Sequence, residues 1–223
     1  MYRSNFGILT RFTEQGRVLV LTMSVKDYYH RRKSLHESII FPGGSMLQGE
    51  TDKENLLREL AEEISLKQQK LNMDPESLRA VLSLHKPSDF GGGMIQSFWY
   101  MPFTDSIHLR TEDEPFLLES DGAKLGPPQL MDIEDFLLRK DVKLAHFAAA
   151  IVFLSKLEGN HKDDYYKGVN ADLKELIREQ YGTRFEAFLQ KTRVFLLKLR
   201  YCCTRESYNR LLYNYSRALG KSR

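Results

Sequence analysis

Cysteine is nearly missing from this 223-residue chain, which has only Cys202 and Cys203. Sequence neighbours cannot close the loops by which disulfides staple small secreted domains. Stability must therefore come from a packed core, and a reducing, cytoplasmic setting is expected. Long apolar runs are missing too. The strongest, residues 144–154, contains His146 and falls well short of the roughly 20 residues of a membrane span, so a buried helix is expected and no membrane partner. The opening Met-Tyr-Arg-Ser-Asn has no apolar run behind a basic start, and no secretory signal is expected. No sign of charge dominates: the formal net charge of +3 is too small to argue for a polyanionic partner. Nor is there a Walker loop, an HExxH zinc pair or a Cys/His zinc pattern.

The hydrophobic content of 42% and charged content of 28% are those of an ordinary folded protein. Charge is distributed unevenly. Residues 181–223 hold ten Lys or Arg against two Asp or Glu, leaving 23 against 28 for the first 180 residues, so the chain divides into an acidic body and a basic tail. Apolar runs at 6–12 and 18–23 flank the turn-like Glu14-Gln15-Gly16 and read as a β-hairpin. The polar, basic residues 26–37 read as a connecting stretch, followed by a strand at 38–41 and the glycine loop Pro42-Gly43-Gly44. Further strands are expected at 80–85, at 95–103 and briefly at 116–118. Pro127-Pro128 punctuates the chain, and no proline follows. Helical patterns then occupy 133–138, 143–157, 171–181, 185–201 and 205–219. Mixed strands and helices followed by helices alone imply an α/β domain over 1–158 with an all-helical, basic extension over 159–223.

Between these parts lies a segment with chemical content. Thr51 and Glu54 have the spacing of a capping box, and no Gly, Pro or Thr interrupts 52–64, which predicts a helix of about three turns. With Leu56 at zero and about 100° per residue, Leu56, Leu57, Leu60, Ala61 and Ile64 form one apolar arc. Glu59, Glu62 and Glu63 fall at roughly 300°, 240° and 340°, which places them on an acidic face opposite the core. A solvated acidic face is the ordinary reading of such a cluster. Its mutual repulsion would be relieved by a divalent cation, and Mg²⁺ prefers carboxylate oxygens.

The surrounding residues favour the cation. From Gly44 the chain reads G-SMLQG-E-TDKENLL-R-E-L-A-E-E-I-S-L, which resembles the Nudix box, G-x5-E-x7-R-E-U-x-E-E-x-G-U with U apolar. Agreement at so many fixed positions arises by chance about once in 10⁷ to 10⁸ starting points. The departure is Ser65, where the family has glycine. Serine there costs stability, about 1 kcal/mol if the residue is left-handed, and leaves the ligands unchanged.

This resemblance implies a Nudix fold, a mixed β-sheet sandwiched between α-helices, and a Mg²⁺-dependent pyrophosphohydrolase with Mn²⁺ as an alternative ion. It assigns metal ligation to Glu59, Glu62 and Glu63 with the Gly43 or Gly44 carbonyl, and catalytic roles to Glu62 and Glu63. Glu50 and Arg58 tie loop to helix, a task suited to a bidentate Arg–carboxylate pair. A general base is expected from a later loop, with Glu119 as the named candidate beside Asp121, Glu112 and Glu114. Arg31 and Arg32, with Lys33, are candidates for substrate phosphates, against the alternative of a solvated basic loop. Phe98, Trp99 and Tyr100 lie on one expected strand and read as core, and His85 and His146 as core or rim.

The implied substrate is a nucleoside diphosphate linked to another moiety: a sugar nucleotide, ADP-ribose, a dinucleotide, coenzyme A or an RNA 5′ end. Leu21-Thr22 with Leu35-His36 and Phe41-Pro42-Gly43-Gly44 is similar to coenzyme A-cleaving members, whose fuller signature is missing. The tail interleaves Arg193, Arg200, Arg205 and Arg210 with Phe195, Tyr201, Tyr208 and Tyr213, a composition suited to RNA. Phe185, Leu189, Leu196, Leu199 and Leu212 recur at helical spacing, so packing in a bundle or a homodimer is the favoured alternative. A noncatalytic Nudix domain binding a nucleotide, RNA or a protein partner is the second class of reading, which the intact glutamates oppose.

Overall fold

The computed structural model describes residues 2–29, 34–64, 75–87, 93–103, 109, 117–118, 124–158, 172 and 175. The first expected hairpin is present as β1 (Tyr2–Phe12) and β2 (Val18–Tyr29), paired antiparallel with Thr10 opposite Val20 and Phe12 opposite Val18. Gly16 supplies the positive φ of 77° that the turn requires, and the Thr13 and Gly16 amides donate to the Arg17 and Thr13 carbonyls.

The basic stretch expected as a connection is instead largely ribbon. β2 runs on to Tyr29 and pairs with β3 (Ser34–Ile40) from Met23 opposite Ile40 to Tyr29 opposite Ser34. Charged side chains hid it, because a ribbon with one side open to water tolerates them as well as a loop does. Next come β4 (Gly43–Ser45), α1 (Asp52–Ile64), β5 (Arg79–Pro87) and β6 (Gly93–Pro102). The chain continues with β7 (Leu117–Leu118), β8 (Lys124–Leu125), β9 (Gln129–Asp132), α2 (Ile133–Leu138) and α3 (Leu144–Glu158). The sheet runs β5-β6-β1-β2-β8-β7, with β3 and β9 also on β2 and β4 on β1. It is mixed, because β1 and β6 are parallel while the other pairs of named strands are antiparallel.

Strand periodicity sorts side chains to two faces. Phe6, Ile8, Val18, Val20, Phe98 and Tyr100 join Phe136, Ile151 and Phe153 of α2 and α3 in one core. Leu9, Leu21, Met23, Val25 and Met101 join Leu56, Leu60 and Ile64 of α1 in the other. Those three α1 side chains are fully buried, and each contributes about 1.5–3 kcal/mol against exposure. The result is the expected mixed sheet between helices. No helix among the described residues is long and apolar enough to cross a membrane. Of the expected extension, only Asp172 and Glu175 lie within the described residues, both helical.

Candidate active site

The site forms where β4 enters the sheet. Hairpin pairing between β1 and β2 is confined to the residues near the turn, and nearer its start β1 pairs with β4 instead, with Ser4, Asn5 and Phe6 opposite Ser45, Gly44 and Gly43. This approach is close enough to demand glycine. Gly43 has φ +131°, and a Cβ there would lie 2.1 Å from the Asn5 carbonyl oxygen. The Gly7 amide donates to the Pro42 carbonyl at 2.8 Å, which fixes the entry to the loop.

Helix α1 begins at the expected capping box. The Thr51 amide donates to Glu54 Oε2 at 2.8 Å, and the Glu54 amide to Thr51 Oγ1 at 3.3 Å. The bond from the Thr51 amide holds the Glu54 carboxyl below the usual range. From this start, successive turns of α1 meet successive residues of β4. Asn55 Nδ2 donates to the Ser45 carbonyl at 2.9 Å. Glu59 sets its carboxylate against Gly44, where a Cβ would lie 2.5 Å from Oε2. Glu63 Oε2 accepts from the Gly43 amide at 2.6 Å, a short, charge-assisted bond.

This ladder corrects the expected placement of all three glutamates on a face opposite the core. Glu59 and Glu63 are only 7% and 3% exposed, while Glu62 is exposed. Asn55, Glu59 and Glu63 fall at roughly 260°, 300° and 340° on the helix, a polar stripe beside the apolar arc. The helix therefore buries two adjoining faces, one on the sheet and one on β4. A buried carboxylate is tolerated only when its oxygens are bonded, and Arg58 supplies a partner for Glu59 while the Gly43 amide of β4 supplies one for Glu63.

Arg58 binds three carboxylates at once. Its Nε and Nη2 donate to Glu50 Oε1 and Oε2 at 2.7 and 3.4 Å, its Nη1 to Glu62 at 3.0 Å, and its Nη2 to Glu59 at 2.8 Å and the Ser45 carbonyl at 3.1 Å. The Arg58 hydrogen bond holds the Glu50 carboxyl below its ordinary range, helped by the Leu47 amide, which donates at 2.8 Å. These carboxylates, Glu50 first, push the guanidinium further above its already high value. Three carboxylates thus face one guanidinium, a formal excess of negative charge that attracts a cation.

The oxygen-only donor set of Glu59, Glu62, Glu63 and the Gly44 carbonyl suits a hard divalent ion in kind. Among the described residues, however, no three His, Cys, Asp or Glu side chains converge into a ready metal cluster. Arg58 bridges Glu59 and Glu62, and Glu63 turns to the Gly43 amide. Arg31, Arg32 and Glu119 lie outside the described residues, as do Asp121, Glu112 and Glu114.

Phe98 and Tyr100 are fully buried as expected, and His146 is a core histidine whose Nδ1 accepts from the Phe41 amide at 2.9 Å. Trp99 points to the α1 side and donates to Asn5 Oδ1 at 3.0 Å. Sequence reasoning missed Asn5 and Asn55. Their one signal is an amide side chain within otherwise apolar spacing, next to Phe6 and Leu56.

Comparison with known proteins adds one strong finding: the family model described as the NUDIX domain matches residues 1–150. Among curated proteins, no sequence matches significantly. Similar solved structures include a MutT/nudix family protein from Enterococcus faecalis, 16% identical, with 74% of this chain and 66% of that one covered and a TM-score of 0.44. An ADP compounds hydrolase is 15% identical over 71% and 74% of the two chains, with a TM-score of 0.46. A C. elegans Ap4A hydrolase is 15% identical over 61% and 84%, with a TM-score of 0.35. The family match, rather than these likenesses, bears on what the chain is.

Proposed function

The chain belongs to the Nudix hydrolase family, and from that premise we propose that it is a Mg²⁺-dependent pyrophosphohydrolase cleaving a nucleoside diphosphate linked to a second moiety. The observation that carries this reading is the pair of buried carboxylates, Glu59 and Glu63, set against the Gly43-Gly44 backbone. Apolar side chains there would be the cheaper solution for stability alone, so the presence of two carboxylates argues for chemistry. Glu59, Glu62 and Glu63 with the Gly44 carbonyl are the residues that would hold Mg²⁺, or Mn²⁺ in its place. A bound divalent ion lowers the pKa of water and draws charge from phosphoryl oxygens.

The chain's own residues supply the positioning. Arg58, clamped by Glu50, fixes the direction of Glu59 and Glu62, and Glu63 orders the loop through the Gly43 amide. Arg31 and Arg32 are proposed for substrate phosphates, and Glu119 as a base outside the box. The basic extension over 159–223 is proposed as a helical appendage. An RNA 5′ end is the substrate its charge favours, and bundle or dimer packing is the alternative its apolar spacing favours.

The test is chromatographic detection of the two phosphate-bearing products of anhydride cleavage, from a panel of sugar nucleotides, ADP-ribose, dinucleoside polyphosphates, coenzyme A and capped RNA with Mg²⁺, wild type beside Glu63→Gln. Glutamine keeps an acceptor for the Gly43 amide, so the variant should fold and lose turnover. A variant as active as wild type, or no hydrolysis of any member of the panel, would sink the assignment and favour a noncatalytic binding domain.

A further inference from the structure

Two asparagines, Asn5 of β1 and Asn55 of α1, are completely buried, and neither belongs to the residues given chemical roles above. Burying an amide is costly unless its donor and acceptor are both used. Here both are used, in one continuous chain. Trp99 Nε1 donates to Asn5 Oδ1 at 3.0 Å. Asn5 Nδ2 donates to Asn55 Oδ1 at 2.9 Å, with Asp52 Oδ1 at 3.4 Å beside it. Asn55 Nδ2 donates to the Ser45 carbonyl at 2.9 Å.

The direction of this relay is fixed at both ends. An indole N–H can only donate and a peptide carbonyl can only accept, so each amide has one orientation that satisfies its neighbours. The relay also joins four elements, β6, β1, α1 and β4, at the point where the glycine loop meets the glutamates. Asn5 takes part twice: its backbone lies opposite Gly44, and its side chain reaches the helix residue that holds Ser45. Asn55 is one helical turn before Glu59 and two before Glu63, so it forms the first rung of the ladder whose other rungs are Glu59 at Gly44 and Glu63 at Gly43. A slip of β4 along α1 would displace those two rungs together.

We infer that Asn5 and Asn55 are positioning residues, an oriented amide relay running from Trp99 to the Ser45 carbonyl that sets the register of the Gly43-Gly44 loop against Glu59 and Glu63. The consequence for catalysis rests on the hydrolase reading above; the consequence for the loop does not. Asn55→Asp separates the two. Aspartate keeps the size and the acceptor for Asn5 but cannot donate to Ser45, and it sets a carboxylate oxygen against a carbonyl oxygen. Asn55→Ala removes both bonds without that repulsion and guards against misfolding of the aspartate variant.

The direct readout is hydrogen exchange at the Gly43 amide by NMR, in full-length wild type and in both variants, with the Ile8 and Phe98 amides as internal controls for global stability. The Trp99 indole N–H is followed as well, and as the only tryptophan it needs no assignment. In Asn55→Asp, exchange at Gly43 should quicken at least about tenfold with the controls unchanged, and the indole resonance should move although residue 55 does not bond it. Asn55→Ala should change both in the same direction. On whichever substrate wild type hydrolyses, kcat should fall about 10–100-fold with KM within about threefold.

Unchanged Gly43 exchange in both variants overturns the relay, even if the wild-type enzyme is active. Faster exchange at Gly43, Ile8 and Phe98 alike also overturns it, since that is loss of the fold. Faster exchange at Gly43 alone in a protein that hydrolyses nothing upholds the relay and defeats the hydrolase reading instead.

Discussion

The adjacent glycines of β4 should respond to the same substitution in opposite ways. At Gly43 an alanine Cβ meets backbone: the Asn5 carbonyl oxygen at 2.1 Å and Phe6 Cα at 2.7 Å, with φ at +131°. A left-handed residue with a side chain costs about 1–3 kcal/mol, and overpacking against atoms that cannot yield costs about 1–3 kcal/mol more. Gly43→Ala should therefore lose roughly 2–6 kcal/mol of stability, and the melting temperature should fall by about 5–20 °C. At Gly44 the new Cβ meets Glu59 Oε2 at 2.5 Å, the far end of a side chain that can rotate, and the backbone there is not left-handed. Reduced entropy of the unfolded chain returns about 0.4–1 kcal/mol, so Gly44→Ala should change stability by about 1 kcal/mol or less. The displaced Glu59 carboxylate moves by about 1 Å, a misplacement that costs on the order of 10²-fold in rate. Urea denaturation with steady-state hydrolysis measures both effects. A Gly44→Ala enzyme with wild-type kcat, or equal destabilisation at the two positions, would refute the reasoning.

Arg58→Lys keeps the charge and loses the fork that holds Glu50, Glu59 and the Ser45 carbonyl together; kcat should drop at least about tenfold and stability by about 1–3 kcal/mol, read by kinetics and denaturation. Asp132 caps α2 by accepting from the Glu134 amide at 2.8 Å, while burial pushes its carboxyl up; Asp132→Asn should fold as stably as wild type near neutrality, and Asp132→Ala should lose about 1 kcal/mol. The Arg139 guanidinium, bonded at 2.8 and 2.6 Å, holds the Asp141 carboxyl below its ordinary value of 3.8. A depressed carboxyl stabilises the fold above the unfolded value and loses that contribution as pH falls through the folded one. Arg139→Ala should thus destabilise near neutrality and make no difference well below 3.8, by under about 1 kcal/mol because the pair is more than a third exposed and screened.

What was legible in the sequence followed from local rules. Thr51 and Glu54 mark the start of α1, and the run of Leu56, Leu60 and Ile64 gives its buried side, so its bounds came out at Asp52 and Ile64. The hairpin was found because Val18, Val20 and their partners alternate around a glycine turn. Strand β4 was not legible, since Gly-Gly-Ser has no strand preference and is extended only because β1 offers an edge there. Strands β8 and β9 escaped for a like reason: two to four residues on either side of Pro127-Pro128 carry too little periodicity. The box named Glu59 and Glu63 but not their burial, because an arc drawn from apolar residues stops at the polar stripe that β4 covers. Asn5 and Asn55 took on meaning only once three distant segments met.

The central claim is that the glutamates of α1 gather a divalent ion beside β4. Titrating Mn²⁺ into the full-length protein under electron paramagnetic resonance, with Mg²⁺ as competitor, tests it without knowledge of the substrate. Wild type should bind Mn²⁺, Mg²⁺ should displace it, and Glu59→Gln and Glu63→Gln should each weaken binding at least about tenfold while keeping the wild-type circular dichroism. Equal Mn²⁺ affinity in wild type and both variants would contradict the account.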